Sequence, residues 1–159
     1  MAKVVLICGK LCCGKSTYAE KLRARIGAVL LSVDEIMLAV FGQDAGDKHD
    51  EYTESVQRYL FNKSAEIIET GISVILDWGF WTKEKRASAR AFYCSRGIEC
   101  EFHYIDISDE TWHTRLERRN NAVLSGQTDA YYVDAGLAAK FESLFEAPEK
   151  DEIDVWLAC

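Results

Sequence analysis

The sequence has little proline, no long hydrophobic run and no segment of low complexity. Pro148 is the only proline among 159 residues, and 48% apolar with 28% charged residues is ordinary for a globular chain. No apolar run approaches the roughly 20 residues that a membrane span requires. Met1-Ala2-Lys3 leads directly into a predicted strand. We therefore expect one globular domain over residues 1–159, without a leader peptide or a membrane anchor.

The six cysteines follow neither a disulfide pattern nor the spacing of metal ligands. Cys8 and Cys100 lie in predicted apolar strands, whereas Cys12 and Cys13 are adjacent. The other cysteines and the histidines are scattered along the chain: Cys94, Cys159, His49, His103 and His113. This pattern predicts a reduced, cytoplasmic protein without a structural metal site.

The net charge is −7 at pH 7, and part of the acidic surplus falls in residues 44–54 and 146–154. We interpret both stretches as solvated surface. Because proteins bind nucleic acids mainly by neutralising phosphates with basic side chains, the charge disfavours a general affinity for DNA or RNA. We accordingly expect neither a nucleic acid nor a membrane as the partner.

Residues 9–17 read Gly-Lys-Leu-Cys-Cys-Gly-Lys-Ser-Thr and follow the apolar run 4–8. The pattern G-x-x-x-x-G-K-[ST] between a strand and a helix is typical of a phosphate-binding P-loop. Its glycines allow backbone N–H groups to surround a phosphate at the positive end of the helix. Lys15 is expected to neutralise the β- and γ-phosphates, and the Ser16 hydroxyl to bind Mg²⁺. The predicted phosphate contacts are Gly9, Leu11, Cys12, Cys13, Gly14, Lys15, Ser16 and Thr17.

Strand-like and helix-like segments alternate along the chain, which predicts an α/β fold with a parallel sheet covered by helices on both faces. The predicted strands are 4–8, 28–33, 72–76, 100–105 and 155–157, and the predicted helices are 17–26, 34–41, 52–70, 82–96, 108–120 and 134–145. Ligands of such sheets bind at the carboxyl ends of the strands. The P-loop, Asp34, Asp77 and Asp106 are therefore expected at one edge.

Two helices carry more detailed predictions. Asp34 is a candidate N-cap of the helix 34–41. In the helix 52–70, helical spacing predicts one buried stripe. The residues of that stripe are Val56, Tyr59, Leu60, Ile67 and Ile68.

Two acidic residues at strand ends are candidates for chemistry. Asp77 ends the third predicted strand and is placed to hold Mg²⁺ together with Ser16. Asp34 ends the second strand and is placed to accept the proton of a substrate hydroxyl, with Glu35 as the reserve. A helix cap or a turn residue is the alternative interpretation of both aspartates.

Arg115 and Arg119 are four residues apart, so they share one face of a helix that precedes a polar segment. Two guanidinium groups there are suited to stabilise a phosphoryl group during transfer. Which of Arg118 and Arg119 is the main lid arginine stays open. A solvated, arginine-rich helix face is the alternative.

Aromatic side chains follow Asp77 directly and are candidates for contact with a substrate ring or an aliphatic body. We predict substrate contacts for Trp78 and Trp81, for Tyr52 in the preceding loop region and for Glu35. Core packing is the alternative for the aromatic residues.

Cys12 and Cys13 precede a helix N-terminus, which favours the thiolate form. We expect oxidation or alkylation there to block nucleotide binding. The alternative is that both are small residues that fit the loop.

GTPase motifs are absent from the expected places. Asp77-Trp78-Gly79 does not match D-x-x-G, and Asn62-Lys63-Ser64-Ala65 does not match N-K-x-D. The chain instead resembles the small P-loop kinases of the zeta-toxin and chloramphenicol-phosphotransferase type, many of which are described as AAA domain proteins. The residues that carry this resemblance are 9–17, Asp34-Glu35, Asp77 with Gly79, Arg115 to Asn120, and Phe141 to Pro148.

The resemblance implies a P-loop NTPase three-layer αβα sandwich with strand order 2-3-1-4-5 and a small helical lid around 120–134. It also implies ATP and Mg²⁺ as cofactors and phosphorylation of a hydroxyl group, with Asp34 as the base. Ile36-Met37-Leu38 stand where polynucleotide kinases tend to carry an arginine, which disfavours a nucleic-acid 5′-hydroxyl as the acceptor. We therefore expect an ATP-dependent kinase of a small molecule. An ATP-binding regulatory module acting on a protein partner is the alternative.

Overall fold

The computed structural model describes residues 1–128 and 130–159. Its five strands are β1 (Val4–Cys8), β2 (Val29–Leu31), β3 (Val74–Gly79), β4 (Cys100–Asp106) and β5 (Val155–Ala158). Its helices are α1 (Lys15–Ile26), α2 (Val33–Phe41), α3 (His49–Glu69), α4 (Lys83–Cys94), α5 (Asp109–Leu124) and α6 (Ala135–Leu144). Short 3-10 turns precede α3 and β5, at Gly46–Lys48 and Lys150–Glu152.

All strand pairs are parallel, and the order is β2-β3-β1-β4-β5, which confirms the predicted fold class and strand order. The five residues of β1 have no exposed surface, as expected of a central strand covered on both faces. Alternate residues of β1 enter two different cores. Val5 and Ile7 pack with α1 and α5, whereas Val4, Leu6 and Cys8 pack with α3 and α4.

A third cluster joins α2 to α3 through Val33, Met37 and Leu60. The predicted buried stripe of α3 is correct for Leu60 but wrong for Tyr59, whose side chain is 60% exposed. Ser64 is fully buried instead, and its hydroxyl meets the Tyr93 hydroxyl of α4 at 2.7 Å. The buried face of the helix therefore includes a hydrogen-bonded serine and excludes Tyr59, while Val56, Ile67 and Ile68 pack against the cores as predicted.

The N-cap of one helix differs from the prediction. The N-cap of α2 is Ser32, whose hydroxyl accepts from the Glu35 N–H, so the prediction of Asp34 as the cap is wrong. Asp34 is instead the second residue of the helix and is exposed. Thr82, Ser108 and Asp134, the first residues of three predicted helices, cap α4, α5 and α6.

The segment predicted as a lid, residues 120–134, begins inside α5, which continues to Leu124. Asp129 lies outside the described residues. Beyond it, the Asn120 side chain exchanges two hydrogen bonds with the backbone of Val133 and so ties the end of the segment to α5.

Candidate active site

The carboxyl ends of the strands bring the predicted polar residues to one edge of the sheet. β1 leads into the P-loop, Asp77 lies near the end of β3, and Asp34 follows β2 closely. Ile7 of β1 pairs with Asp77, and a register shift then aligns Cys8 with Gly79. The irregularity occurs where the chain leaves the sheet to form the loop.

Glycines shape the P-loop itself. Gly14 has φ 100° and ends the loop as the N-cap of α1, without any side-chain cap on the helix N–H groups. A Cβ atom at Gly9 would lie 2.5 Å from Cys13 Sγ, so no larger residue fits there without displacing the thiol. The ammonium of Lys15 lies within the loop and donates to Lys10 O at 2.7 Å and to Gly9 O at 3.3 Å. This arrangement is that of a phosphate-binding loop.

Ser16 and Asp77, the two residues predicted to bind Mg²⁺, lie next to each other. The Ser16 hydroxyl donates to Asp77 Oδ2 at 3.2 Å, and Asp77 is only 8% exposed. Burial raises the pKa of the Asp77 carboxyl, whereas Lys15 and the Ser16 hydrogen bond lower it and the charge of Asp34 raises it. Mg²⁺ prefers such oxygen donors and usually takes one or two carboxylates together with substrate phosphates. The residues present therefore fit the predicted metal.

Among residues 1–128 and 130–159, no group of three or more His, Cys, Asp or Glu side chains is arranged to hold a metal ion. The same part of the chain contains no helix that is long and apolar enough to cross a membrane.

The two predicted arginines reach the P-loop from α5. Arg115 Nη1 donates to Cys13 O at 2.6 Å, and Arg119 Nη1 contacts Cys12 Sγ at 3.2 Å. A Cβ atom at Gly14 would lie 3.1 Å from Arg115 Nη1, so the arginine passes close to the start of α1. The Nε atom of Arg119 is buried without a partner in the described part of the chain. Both guanidinium groups therefore lie beside the loop.

The cysteines of the loop differ from each other. Cys13 is 1% exposed, and burial raises the pKa of its thiol. The expectation that the helix N-terminus favours a thiolate at Cys13 is therefore wrong, because desolvation outweighs the nearby positive charges. Cys12 is half-buried and has φ 59°, and the Arg119 guanidinium lies against its sulfur.

Two of the predicted substrate residues, Trp78 and Tyr52, pack against the cluster that joins α2 to α3, whereas Trp81 lies at the P-loop. Trp78 is half-buried and packs against Phe61 and Phe80, with ring centroids 5.4 and 5.1 Å apart. Tyr52 stacks on Phe41 at 4.7 Å. Glu35 is exposed beside Asp34. Trp81 turns towards the P-loop, where its indole N–H donates to Gly9 O at 3.1 Å.

Sequence reasoning missed two residues near this site. The indole of Trp112 on α5, which is 1% exposed, donates to Leu11 O. Tyr131 packs against the cluster that joins α2 to α3, and burial together with the charge of Asp34 raises the pKa of its hydroxyl. Neither residue belongs to a recognisable motif, so only the folded chain brings them to the site.

Solved structures share this fold at low sequence identity. A sugar kinase from Janibacter sp. is 19% identical over 99% of this chain and 86% of its own, with a TM-score of 0.67. The APS kinase CysC of Mycobacterium tuberculosis, solved with AMPPNP and APS, is 19% identical over 99% and 88%, with a TM-score of 0.69. Kti12 of Chaetomium thermophilum, solved with ADP-AlF3, is 15% identical over 98% and 88%, with a TM-score of 0.70.

No curated protein sequence matches the chain. The AAA domain family matches residues 4–148, which is most of the chain and includes the P-loop, Asp34, Asp77 and both arginines. This match agrees with the predicted resemblance to small P-loop kinase-like proteins that bind ATP. The chain therefore belongs to the AAA domain family, within which it has the fold of a P-loop kinase.

Proposed function

We propose that the protein transfers the γ-phosphoryl group of ATP to a hydroxyl group of a small molecule. The observation that carries this proposal is the hydrogen bond between Ser16 and Asp77, beside the Lys15 ammonium and with Asp34 close enough to act on the Asp77 charge. A P-loop with a metal-binding pair and a separate exposed carboxylate contains the parts that phosphoryl transfer requires.

Each group has a distinct role. The N–H groups of the P-loop and Lys15 bind the phosphates, and Ser16 and Asp77 would hold Mg²⁺, which supplies positive charge beside them. In the transfer, a bond forms between the acceptor oxygen and the γ-phosphorus, and the bond from that phosphorus to the bridging oxygen breaks, so ADP leaves with the electron pair. The acceptor proton goes to the Asp34 carboxylate. Arg115 and Arg119 stabilise the charge on the transferring group.

The charges around Asp34 support a neutral or cationic acceptor. Residues 34–54 contain seven acidic side chains and one lysine: Asp34, Glu35, Asp44, Asp47, Lys48, Asp50, Glu51 and Glu54. These residues lie on α2, on the start of α3 and on the connection between them. An anionic acceptor would be repelled on approach, because the local potential there is negative. Sugars, polyols and amino compounds with hydroxyl groups are the favoured classes.

The solved structures that share this fold also support the proposal that the protein is a kinase of small molecules. One is described as a sugar kinase, and another as an APS kinase. APS is itself an anion, so the acidic segment of this chain argues for a different acceptor.

The test is ADP release from Mg-ATP, measured alone and with a panel of neutral sugars and polyols, amino sugars, nucleosides, sugar phosphates and 5′-hydroxyl oligonucleotides. The proposal expects stimulation by a neutral or cationic hydroxyl compound. Asp34→Asn should lower kcat by about 10²- to 10⁴-fold while ATP binding stays nearly intact. Asp151→Asn is the matched control, since it removes an exposed carboxylate from the turn before β5.

Two outcomes would contradict the proposal. Tight ATP binding without stimulation by any compound would favour a regulatory module that acts on a protein partner. Stimulation that survives in Asp34→Asn would remove this carboxylate from the mechanism.

A further inference from the structure

Side chains from outside the P-loop hold its carbonyl groups. Trp81 donates to Gly9 O, Trp112 donates to Leu11 O, and Arg115 donates to Cys13 O. Lys15, at the end of the loop, donates to Lys10 O and also, at 3.3 Å, to Gly9 O, so Gly9 O accepts from both Lys15 and Trp81. Side chains thus donate to the carbonyls of residues 9, 10, 11 and 13, and two of the donors are indole N–H groups.

These contacts decide where the N–H groups of the loop point. A trans peptide is planar, and the C=O of one residue is directed opposite to the N–H of the next residue. A donor that fixes Gly9 O therefore also orients the N–H of Lys10, and a donor on Leu11 O orients the N–H of Cys12. A phosphate is bound by such N–H groups, so the two indoles act on its binding through the backbone.

The chain after β3 is shaped so that Trp81 reaches the loop. Gly79 has φ 87°, and a Cβ atom there would lie 2.5 Å from Trp81 Nε1 and 3.1 Å from Gly9 O. Only glycine leaves room for the indole at this point. Phe80 follows with φ 46°, a strained conformation for an aromatic residue.

The buried guanidinium group of Arg86 stabilises the strained turn at Phe80 by hydrogen bonding. Arg86, which is 2% exposed, donates to Phe80 O at 3.0 Å and to Glu146 O at 2.9 Å, and it pairs with Glu152. Trp81 is also packed on Phe141 of α6, with ring centroids 5.0 Å apart. The strained turn therefore places the Phe80 ring in the core and the Trp81 indole against the P-loop.

Trp112 is fixed in a comparable way from the other side. It lies in the first turn of α5, after the Ser108 cap, and its ring is buried. The ammonium of Lys10 lies 5.4 Å from its ring centroid and pairs with Asp109 at 2.9 Å. The indole of Trp112 thus contacts the P-loop twice. Its N–H donates to Leu11 O, and its ring face lies against the Lys10 ammonium.

We propose that Trp81 and Trp112 are positioning residues for nucleotide binding, whose indole N–H groups fix the carbonyls of Gly9 and Leu11 and thereby hold the P-loop backbone in the conformation that binds the phosphates of ATP. This inference rests on the proposed function only in that ATP is the nucleotide bound. It assigns Trp81 a different role from the substrate contact predicted from the sequence.

The test replaces each indole N–H without changing the shape of the ring. Benzothienylalanine, which carries sulfur in place of N–H, is incorporated at position 81 or 112, and 5-fluorotryptophan, which keeps the N–H, is incorporated at the same positions. The dissociation constant of Mg-ATP is then measured by titration calorimetry. Trp156 is the matched control, because its indole also donates one hydrogen bond, to Asp106 Oδ2 at 3.3 Å, but does not touch the P-loop.

Each benzothienylalanine variant should weaken Mg-ATP binding by about 3- to 10-fold, which corresponds to the loss of one hydrogen bond, and both together by about 10- to 100-fold. The fluorotryptophan variants should bind like the parent protein, as should benzothienylalanine at position 156. If the indoles had a purely structural role, benzothienylalanine would lower the thermal unfolding midpoint. The benzothienylalanine and 5-fluorotryptophan variants would then bind Mg-ATP with the same affinity.

Equal affinities for the sulfur and N–H analogues at positions 81 and 112 would overturn the inference. So would an equal loss of affinity at position 156. Trp81→Phe and Trp112→Phe give a second comparison if the analogues are poorly incorporated, with Trp156→Phe as their control. Because the readout is nucleotide binding, an absence of kinase activity would defeat the proposed function while leaving this test valid.

Discussion

The Ser16 hydroxyl donates to Asp77 Oδ2 at 3.2 Å, which links the start of α1 to the end of β3. The carboxylate is almost fully buried, and the positive charge of the Lys15 ammonium lowers its pKa against the effect of burial. A buried carboxylate beside a P-loop costs folding free energy unless a cation compensates it. The pair is therefore better suited to metal binding than to stability.

Asp77→Asn should stabilise the nucleotide-free protein while weakening its use of Mg²⁺. Burial raises the pKa of Asp77, so the ionised form at neutral pH is disfavoured in the folded state relative to the unfolded state. A neutral amide removes this cost, and we expect the unfolding midpoint to rise by about 2–4 °C. Calorimetry should also show at least about 10-fold weaker binding of Mg-ATP. A lowered midpoint with unchanged Mg-ATP affinity would contradict the assignment.

Lys15→Ala should weaken ATP binding by about 10- to 100-fold, because a charged hydrogen-bond donor to the phosphates is lost. Turnover should fall as well. Lys21→Ala is the control, since Lys21 lies on the same helix and is exposed. Fluorescence or calorimetric titration measures the affinity, and normal binding by the Lys15 variant would refute the nucleotide site.

Arg115→Lys should lower kcat by about 100-fold or more, because a single ammonium cannot both hold Cys13 O and contact a phosphoryl group. Arg118→Lys, on the same helix but exposed, should have little effect. Steady-state kinetics with the acceptor from the panel would measure both. Equal kcat values in the two variants would assign Arg115 to the solvated face instead.

Stability should fall as the pH decreases below about 6.5, through the titration of His103. Burial lowers the pKa of this histidine from 6.5, although its contact with Glu101 opposes the shift. The unfolded chain therefore takes up a proton at a higher pH than the folded chain does. The groups that face the ring are Tyr18, at 2.8 Å from Nδ1, Glu101, at 3.0 Å from Nε2, and the more distant Lys3 and Asp154.

His103→Gln should flatten the dependence of the unfolding free energy on pH between about 5 and 6.5. His113→Gln, which changes an exposed histidine, should keep the slope of the parent protein. Denaturant unfolding at a series of pH values measures both slopes. An unchanged slope in His103→Gln would show that another group is responsible.

Local patterns were sufficient for the order and type of the regular elements. The prediction of β1 coincides with the observed strand at both ends, and the predicted helices 82–96, 108–120 and 134–145 begin at the residues that cap α4, α5 and α6. These features depend on neighbouring residues, since a continuous apolar run or a cap before a periodic segment is complete within a few positions. The resemblance supplied the strand order.

The incorrect predictions arose where two local solutions compete. Ser32 and Asp34 are both good N-caps, and the structure selects Ser32 because Val33 and Met37 must face the core shared with α3. Tyr59 has helical spacing but lies on an exposed side of α3. Neither choice follows from periodicity alone.

The P-loop and the proposed metal pair, Ser16 and Asp77, could be recognised in the sequence because phosphate and Mg²⁺ dictate their residue types and spacing. The side-chain donors that orient the loop could not be recognised in the sequence. Trp81 and Trp112 lie 72 and 101 residues from the carbonyls they hold, and no local rule relates such positions. Their role arises only when the parallel sheet places the ends of β1, β3 and β4 side by side, so that groups remote in the chain meet at one edge.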